Sequence, residues 1–258
     1  MIISLIKNIV KYIRFYGGGY RCNICNKPVR HFFPFSSDLL QSAKSAGFTY
    51  DFKRMETLNF DSCNCPFCLS TDRERLYMLF LDKLLNTKNT SQFILDFAPT
   101  QAFSKTVKAR SSNQYLSADL FRTDVDLRLD ICNMIDVEST KFDIVICSHV
   151  LEHVIDPDKA LAEIYRILKA DGTAIIMVPL FWDVEQTIEN PDYNTDELRR
   201  KFYGQSDHVR LFSRSDFLKR ISLAKFAIKT IDTSSFESKQ ISKYGIATNS
   251  ILYVCSKA

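Results

Sequence analysis

From residue 92 onward the chain alternates short apolar runs with helical stretches, and this rhythm restricts the fold more than any other feature. Residues 93–97 (FILDF), 115–118, 125–131, 142–148 (FDIVICS) and 174–179 read as strands one to five. The fourth is a nearly continuous β-branched run, suited to burial on both faces as in a parallel sheet. Between strands, Thr100 can cap a helix through Arg110, and Asp156-Pro157 opens another in which Leu161, Ile164, Tyr165 and Leu168 recur at helical spacing, with Gly172 at the C-cap position. Residues 183–212 break the rhythm with charges, Pro191, Gly204 and aromatics, as an inserted segment over an active site would. A helix at 213–225 and closing strands at 226–231 and 250–254 complete an α/β fold with a doubly wound, seven-stranded sheet.

In such sheets ligands sit outside the carboxyl ends of the strands, where the strand order reverses. Asp96 with Phe97, Ala98 and Pro99 ends strand one, Asp119 with Leu120 ends strand two, Asp130 with Ile131 ends strand three, and Ser148-His149 follows strand four. An acid after the second strand suits a ribose diol, because one carboxylate accepts from both hydroxyls. Glycine, however, is scarce: seven residues where ordinary usage gives about 18, three of them consecutive at 17–19. No G-x-G-x-x-G or G-x-x-x-x-G-K-[ST] motif can be assembled, which argues against a diphosphate cradle for NAD, FAD or a P-loop nucleotide. A ligand with ribose and adenine but no phosphate reconciles the acids with the missing glycines, and S-adenosylmethionine is such a ligand.

The front of the chain is chemically different. Residues 1–90 hold 13 basic and 7 acidic side chains and residues 91–258 hold 21 and 23, so the excess is +6 in front and −2 behind. The overall +4 is too mild for a dedicated nucleic-acid binder. Eight cysteines without a secretory signal argue for reduced thiols, some of them ligands. Cys22-Asn-Ile-Cys25 and Cys65-Pro-Phe-Cys68 are two C-x-x-C knuckles that together supply the four thiolates of a closed, structural zinc site, with Cys63 as a possible substitute for Cys65. The 39 residues between the knuckles call for a small module with its own strands, drawn from 30–35 and 49–60.

Residues 1–16 are apolar except for Ser4, Lys7, Asn8, Lys11 and Arg14, which share one helical stripe. The segment fits neither a signal peptide nor a spanning helix. It reads either as an amphipathic helix lying in a membrane interface or as one packed on its own protein. The expected organisation is therefore an amphipathic helix and glycine linker (1–19), a zinc-ribbon-like module with a connecting helix (20–90), and an α/β domain (91–258). The expected location is the cytoplasm, with peripheral contact at the inner face of the membrane through residues 1–16.

With these residues in place, the chain from about Tyr20 to its end resembles a class I S-adenosylmethionine-dependent methyltransferase of the type 11-like kind, with an N-terminal four-cysteine module. The resemblance is carried by Cys65-Pro-Phe-Cys68 leading into Arg73-Glu-Arg75-Leu76, by Phe97-Ala98-Pro99, by Ser117-Ala118-Asp119-Leu120, by residues 147–154 (CSHVLEHV) and by residues 203–210 (YGQSDHVR). It implies a Rossmann-like domain in which the Asp96–Pro99 loop faces the methionine part of the cofactor, Asp119 the ribose, Asp130-Ile131 the adenine and Ser148-His149 the sulfonium. The chain departs from the wider superfamily in its first loop, where Asp96-Phe-Ala-Pro-Thr100 replaces a glycine-rich turn.

His149-Val-Leu-Glu152-His153 also spells H-x-x-E-H, the inverted zinc-peptidase signature, which requires both histidines on one helix. A milder reading has His149, Glu152 and His153 holding a divalent ion. Methyl transfer is an in-line displacement in which a base assists when the acceptor must lose a proton. His208, with Asp207, Gln205 and Arg210 near it in sequence, is the expected base, and His153 a further candidate. The acceptor is expected to be a hydroxyl or amine on a small molecule or a glycan precursor. RNA is the alternative, on the strength of the basic front third, and a non-catalytic zinc-containing binding protein is another.

Overall fold

The structure, a computed structural model, describes residue 10 and residues 12–87, 90–110 and 114–258. Most of the expected N-terminal helix thus lies outside the described residues; residues 12–15 are helical and Phe15 is buried. No described helix is long and apolar enough to cross a membrane.

The glycine triplet lies within strand β1 (Tyr16–Arg21) and is not a linker. This strand pairs antiparallel with β2 (Pro28–Val29), and both Tyr16 and Tyr20 sit opposite Val29, so the glycines form a bulge. Gly18 has φ +88°, and a Cβ there would come within 2.7 Å of the Arg30 backbone; only glycine permits so close a passage. Between the knuckles the structure corrects the expected strands. Helix α1 (Ser37–Ser45) forms there, capped by Ser36, and the flanks contribute only isolated bridges, Phe33 to Asn64 and Met55 to Phe181. Phe35, Tyr50 and Phe52 of the expected strands pack, with Phe48, on one another and on Phe181 instead. Helix α2 (Asp72–Thr87) then leads into the sheet. Thr71 and Glu74 form a reciprocal capping box at its start, Thr71 N donating to Glu74 Oε2 and Glu74 N to Thr71 Oγ1.

The remaining elements are β3 (Phe93–Phe97), α3 (Gln101–Ala109), β4 (Gln114–Asp119), β5 (Leu127–Arg128), β6 (Phe142–Ser148), α4 (Pro157–Ile167), β7 (Leu168–Met177), α5 (Asp196–Tyr203), α6 (Arg214–Leu223), β8 (Phe226–Asp232), α7 (Ser238–Lys243) and β9 (Ile251–Lys257). Thr100, Asp156 and Ser213 cap α3, α4 and α6, as their sequence positions imply. The seven-stranded sheet runs β5-β4-β3-β6-β7-β9-β8, with β9 antiparallel to its neighbours. This is the doubly wound sheet expected from the sequence, and its order reverses between β3 and β6.

Three boundaries differ from expectation. The third strand shrinks to Leu127–Arg128, because the Asp126 carboxylate turns back to accept from Ser117 N and Oγ. Asp130 consequently lies in a turn and accepts from Cys132 N. The fifth strand begins at Leu168, where the chain leaves α4 directly in extended conformation; Gly172 is inside this strand and caps no helix.

Alternate residues of the sheet fill two cores. Leu95, Val145, Cys147 and Ile176 meet α4 and α6, whereas Ile94, Ile144, Ile146 and Ile175 meet α2, α3 and the N-terminal residues Cys22, Ile24, Val29 and Phe32. The cysteine-bearing segment therefore completes the second core. A third cluster, including Phe52, Met55, Cys63, Phe181, Val184, Tyr203 and Leu211, joins that segment to the insertion.

Candidate active site

Strands β3 and β6 end side by side at the switch point, and each is followed by a non-glycine residue in left-handed conformation, Ala98 (φ 52°) and His149 (φ 58°). Each turn is pinned to the next strand, Ala98 N donating to Ala118 O and His149 N to Met177 O, both at 2.8 Å. The conformation costs about 1–2 kcal/mol per residue. It turns the chain sharply off the sheet at the strand ends where ligands of such sheets bind.

The sequence-predicted residues divide by environment. Asp119 Oδ1 accepts from Phe121 N (2.8 Å) and Arg122 N (2.9 Å), which fixes the carboxylate and leaves Oδ2 without a partner among the described residues. Leu120 and Phe121 beside it are exposed. Arg122, which sequence reasoning missed, donates to Pro99 O at 2.6 Å and pairs with Asp124, tying the loop after β4 to the loop after β3. Asp96 is 2% exposed and accepts from the Tyr115 hydroxyl at 2.7 Å. Burial pushes its carboxyl well above the usual carboxylate range, with the Glu74 charge adding to the effect and the Tyr115 hydrogen bond opposing it. The Phe97 and Ile131 side chains are in the core and Pro99 is buried, whereas Ala98 and Asp130 are exposed. Ser148 Oγ is buried without a partner.

Beyond His149 the chain makes a turn and not a helix, so the peptidase geometry is absent. His149 Nδ1 lies 3.1 Å from Arg73 Nη1. Arginine can only donate, so Nδ1 accepts and the ring is neutral. Burial first, and Arg73 second, hold its pKa well below the ordinary histidine value. Glu152 is 1% exposed, and burial lifts its pKa to about 8. His208 is 3% exposed, and burial together with His153 lowers its pKa to about 4. His153 packs edge-on against His208, with ring centroids 4.7 Å apart, and its Nδ1 is 3.1 Å from the Asp207 carbonyl oxygen.

The segment 207–210 is docked by backbone contacts. Val209 N donates to Glu152 O, and Arg210 donates to the carbonyls of Leu151, Val154 and Ile155 and to Glu189. The expected grouping of Arg210 around His208 is corrected accordingly: Arg210 holds the 151–155 turn, and Asp207 pairs with His153. Glu152 and Arg73 belong to the same constellation, although no role in it followed from their spacing in the sequence.

His149 and His208 open onto a cavity of about 320 Å³. Phe35, Leu39, Phe52, Met55 and Phe181 form its apolar wall, and Thr71, Arg73 and Gln205 its polar side. Most of that apolar wall comes from the segment between the knuckles.

Cys22, Cys25, Cys65 and Cys68 converge, with all four sulfurs within 4.8 Å of one another, Cys22 to Cys68 at 3.7 Å and Cys25 to Cys65 at 3.8 Å. A tetrahedral zinc with Zn–S near 2.3 Å sets its sulfurs about 3.8 Å apart, so the residues fit that ion. The two knuckles repeat one geometry, each followed by a left-handed residue, Asn26 (φ 57°) and Leu69 (φ 63°). Cys63 lies apart from the four sulfurs and lines the cavity.

Residues 87–176, the span from the end of α2 to the end of β7, match the family described as methyltransferase domain. No curated protein matches the chain. Among solved structures, a SAM dependent methyltransferase from Archaeoglobus fulgidus is similar at 14% identity and TM-score 0.45, over 71% of this chain and 94% of that one. A second is the 1,6-didemethyltoxoflavin-N1-methyltransferase of Burkholderia thailandensis, with 1,6-didemethyltoxoflavin and S-adenosylhomocysteine bound, at 11% identity and TM-score 0.43, over 72% and 78% of the two chains.

Proposed function

We propose that the protein transfers a methyl group from S-adenosylmethionine to a hydroxyl or amine of a small acceptor, with a sugar of a glycan precursor the best match to the cavity. The observation that carries this reading is the placement of His149, which follows β6 at the switch point, in the row of strand ends that includes Asp119, and which also lines the 320 Å³ cavity. The cofactor supplies an electrophilic methyl on a sulfonium. The chain's own part is to orient the two reactants and exclude water. Phe35, Phe52 and Phe181 offer faces for a sugar ring, and His208, with His153 and Asp207, forms the polar end that draws the acceptor's proton. A cavity of this size suits a monosaccharide better than an RNA strand, and the apolar wall lacks the interleaved basic residues of a nucleic-acid groove.

The four cysteines would hold a structural zinc that fixes the cavity wall, with no open position for chemistry. Residues 1–16 would add a peripheral membrane contact. Incubating the zinc-loaded protein with methyl-labelled S-adenosylmethionine and panels of sugars, amines and RNA tests the reading. Label on a small hydroxyl or amine acceptor, reduced in His208→Ala with cofactor affinity unchanged, is the expected result. Label on RNA alone, in a salt-dependent manner, or on nothing, refutes it.

A further inference from the structure

We infer that Glu152, His153 and His208 bind one divalent transition-metal ion, separate from the four-cysteine site and beside the acceptor cavity. The role of that ion, though not its presence, rests on the methyl-transfer reading above. Ligand atoms of the three side chains lie within 4.8 Å of one another.

Two independent observations point to a missing partner. Among the described residues neither oxygen of the buried Glu152 carboxylate has a hydrogen-bond partner, the approach of His149 Nδ1 to Oε1 at 3.7 Å being too long for one, and neither does His208 Nδ1. Buried polar groups are nearly always satisfied, and three such atoms beside one another are what an absent cation leaves behind. The imidazoles are also held as metal-ligating histidines usually are, by a contact at the second nitrogen. His153 Nδ1 faces the Asp207 carbonyl at 3.1 Å, which turns Nε2 toward Glu152 Oε1 at 3.9 Å. The Tyr203 backbone acts on the His208 ring and favours its protonated form, and Nδ1 is the ring nitrogen left buried without a partner.

The placement is rigid. Val209 N donates to Glu152 O, and Arg210 fastens the 151–155 turn, so the two ligand-bearing segments cannot drift apart. Ligand atoms at about 2.0–2.2 Å from an ion sit roughly 3.0–3.5 Å from each other, so closure asks the side chains to move by about an ångström. The neighbouring guanidiniums are held by other groups, Arg73 by His149 and Arg210 by carbonyls and Glu189; each keeps one buried Nε without a partner and acts on Glu152 through its charge, with no hydrogen bond to it. Because His149 Nδ1 accepts from Arg73, the third ligand is His208, brought in from the insertion, and the H-x-x-E-H spacing alone does not make the site.

Two imidazoles and one carboxylate suit zinc, manganese or iron, and three protein ligands leave positions open to water or to an acceptor oxygen. An acceptor hydroxyl bound there loses its proton to solvent more readily, and His208, its free Nδ1 given to the ion, then assists through the metal in place of taking the proton itself. The oxygen lone pair then forms the bond to the methyl carbon as the electron pair of the S–CH3 bond returns to sulfur, leaving S-adenosylhomocysteine.

The test uses full-length protein carrying zinc on its cysteines, dialysed against a mild chelator and titrated with Co2+ by calorimetry and visible absorption. One Co2+ per chain is expected, with weak d–d bands and without the intense charge-transfer band of thiolate ligation. Glu152→Gln and His153→Gln should each weaken binding at least tenfold while the melting temperature holds. His153 is a third exposed, so its replacement keeps the test open if the buried variant fails to fold. No Co2+ bound beyond the cysteine site, or equal affinity in both folded variants, overturns the inference. S-adenosylmethionine titrated into the same sample reports separately on the methyl-transfer reading: Co2+ bound without cofactor would end that reading and leave the ion site standing.

Discussion

Replacing Arg75 by methionine should separate the parts of this protein that the structure holds together. Arg75 is wholly buried on α2, and its guanidinium lies 3.9 Å above the Phe32 ring. It donates to five carbonyls: Tyr244 at 2.6 Å, Cys63 at 3.0 Å, Ser70 at 2.9 Å, Ser62 at 2.8 Å and Gly245 at 3.2 Å. Three stretches of chain meet there, namely the approach to the second knuckle, its exit, and the turn before β9. Methionine fills a similar volume and donates nothing. Each charge-assisted bond is worth about 1.5–3 kcal/mol, but the five share one desolvated cation whose burial offsets much of that sum. Breaking such a buried network costs about 3–5 kcal/mol net. At roughly 2–4 °C per kcal/mol for a chain of this size, the melting temperature should fall by about 6–20 °C. Arg75→Lys, able to reach only some of the five acceptors, should fall between. Scanning calorimetry of the zinc-loaded proteins measures this, with one cooperative transition expected because the cysteine segment shares its core with the sheet. A change below about 1 kcal/mol, or a separate early transition of the N-terminal segment, would refute the reasoning.

Leu69 is exposed at φ 63°, so Leu69→Gly should remove a left-handed strain and stabilise by about 0.5–1 kcal/mol, read as a higher urea midpoint. Asp96 titrates in the folded state well above its unfolded value near 4, so the native state holds a proton that the unfolded chain releases, and stability falls as pH rises through that interval. Asp96→Asn should abolish this loss, and its stability advantage over the parent should grow between pH 5 and pH 8; an advantage independent of pH would show the carboxyl is ionised. Cys68→Ser should lower bound zinc well below one per chain, whereas Cys63→Ser should leave it unchanged by elemental analysis.

How much of this was legible in the sequence follows from the range of each interaction. The inner strands were, because FILDF and FDIVICS are apolar on both faces, and α3, α4 and α6 were, because Thr100, Asp156 and Ser213 cap them locally. The paired knuckles needed only their own spacing. Helix α1 was missed because its neighbours Phe35, Phe48 and Phe52 resemble strand residues until their partner Phe181, far along the chain, is known. The shortened third strand depends on Asp126 reaching back to Ser117, and Gly172 on a strand that starts as soon as its helix stops. Arg73 against His149, and Glu152 beside His208, join residues whose sequence separation hides them from any local pattern. Gly17–19 read as a linker because the close approach of Arg30 is a tertiary fact.

The central claim is that the crevice outside β3, β4 and β6 holds S-adenosylmethionine, with Asp119 as its ribose anchor. Isothermal titration of the zinc-loaded protein should show one S-adenosylmethionine bound per chain. Asp119→Ala should weaken it at least tenfold, since about 1.4 kcal/mol is a factor of ten and a carboxylate–hydroxyl bond is worth at least that. No binding by the parent protein, or equal affinity in Asp119→Ala, would contradict the account.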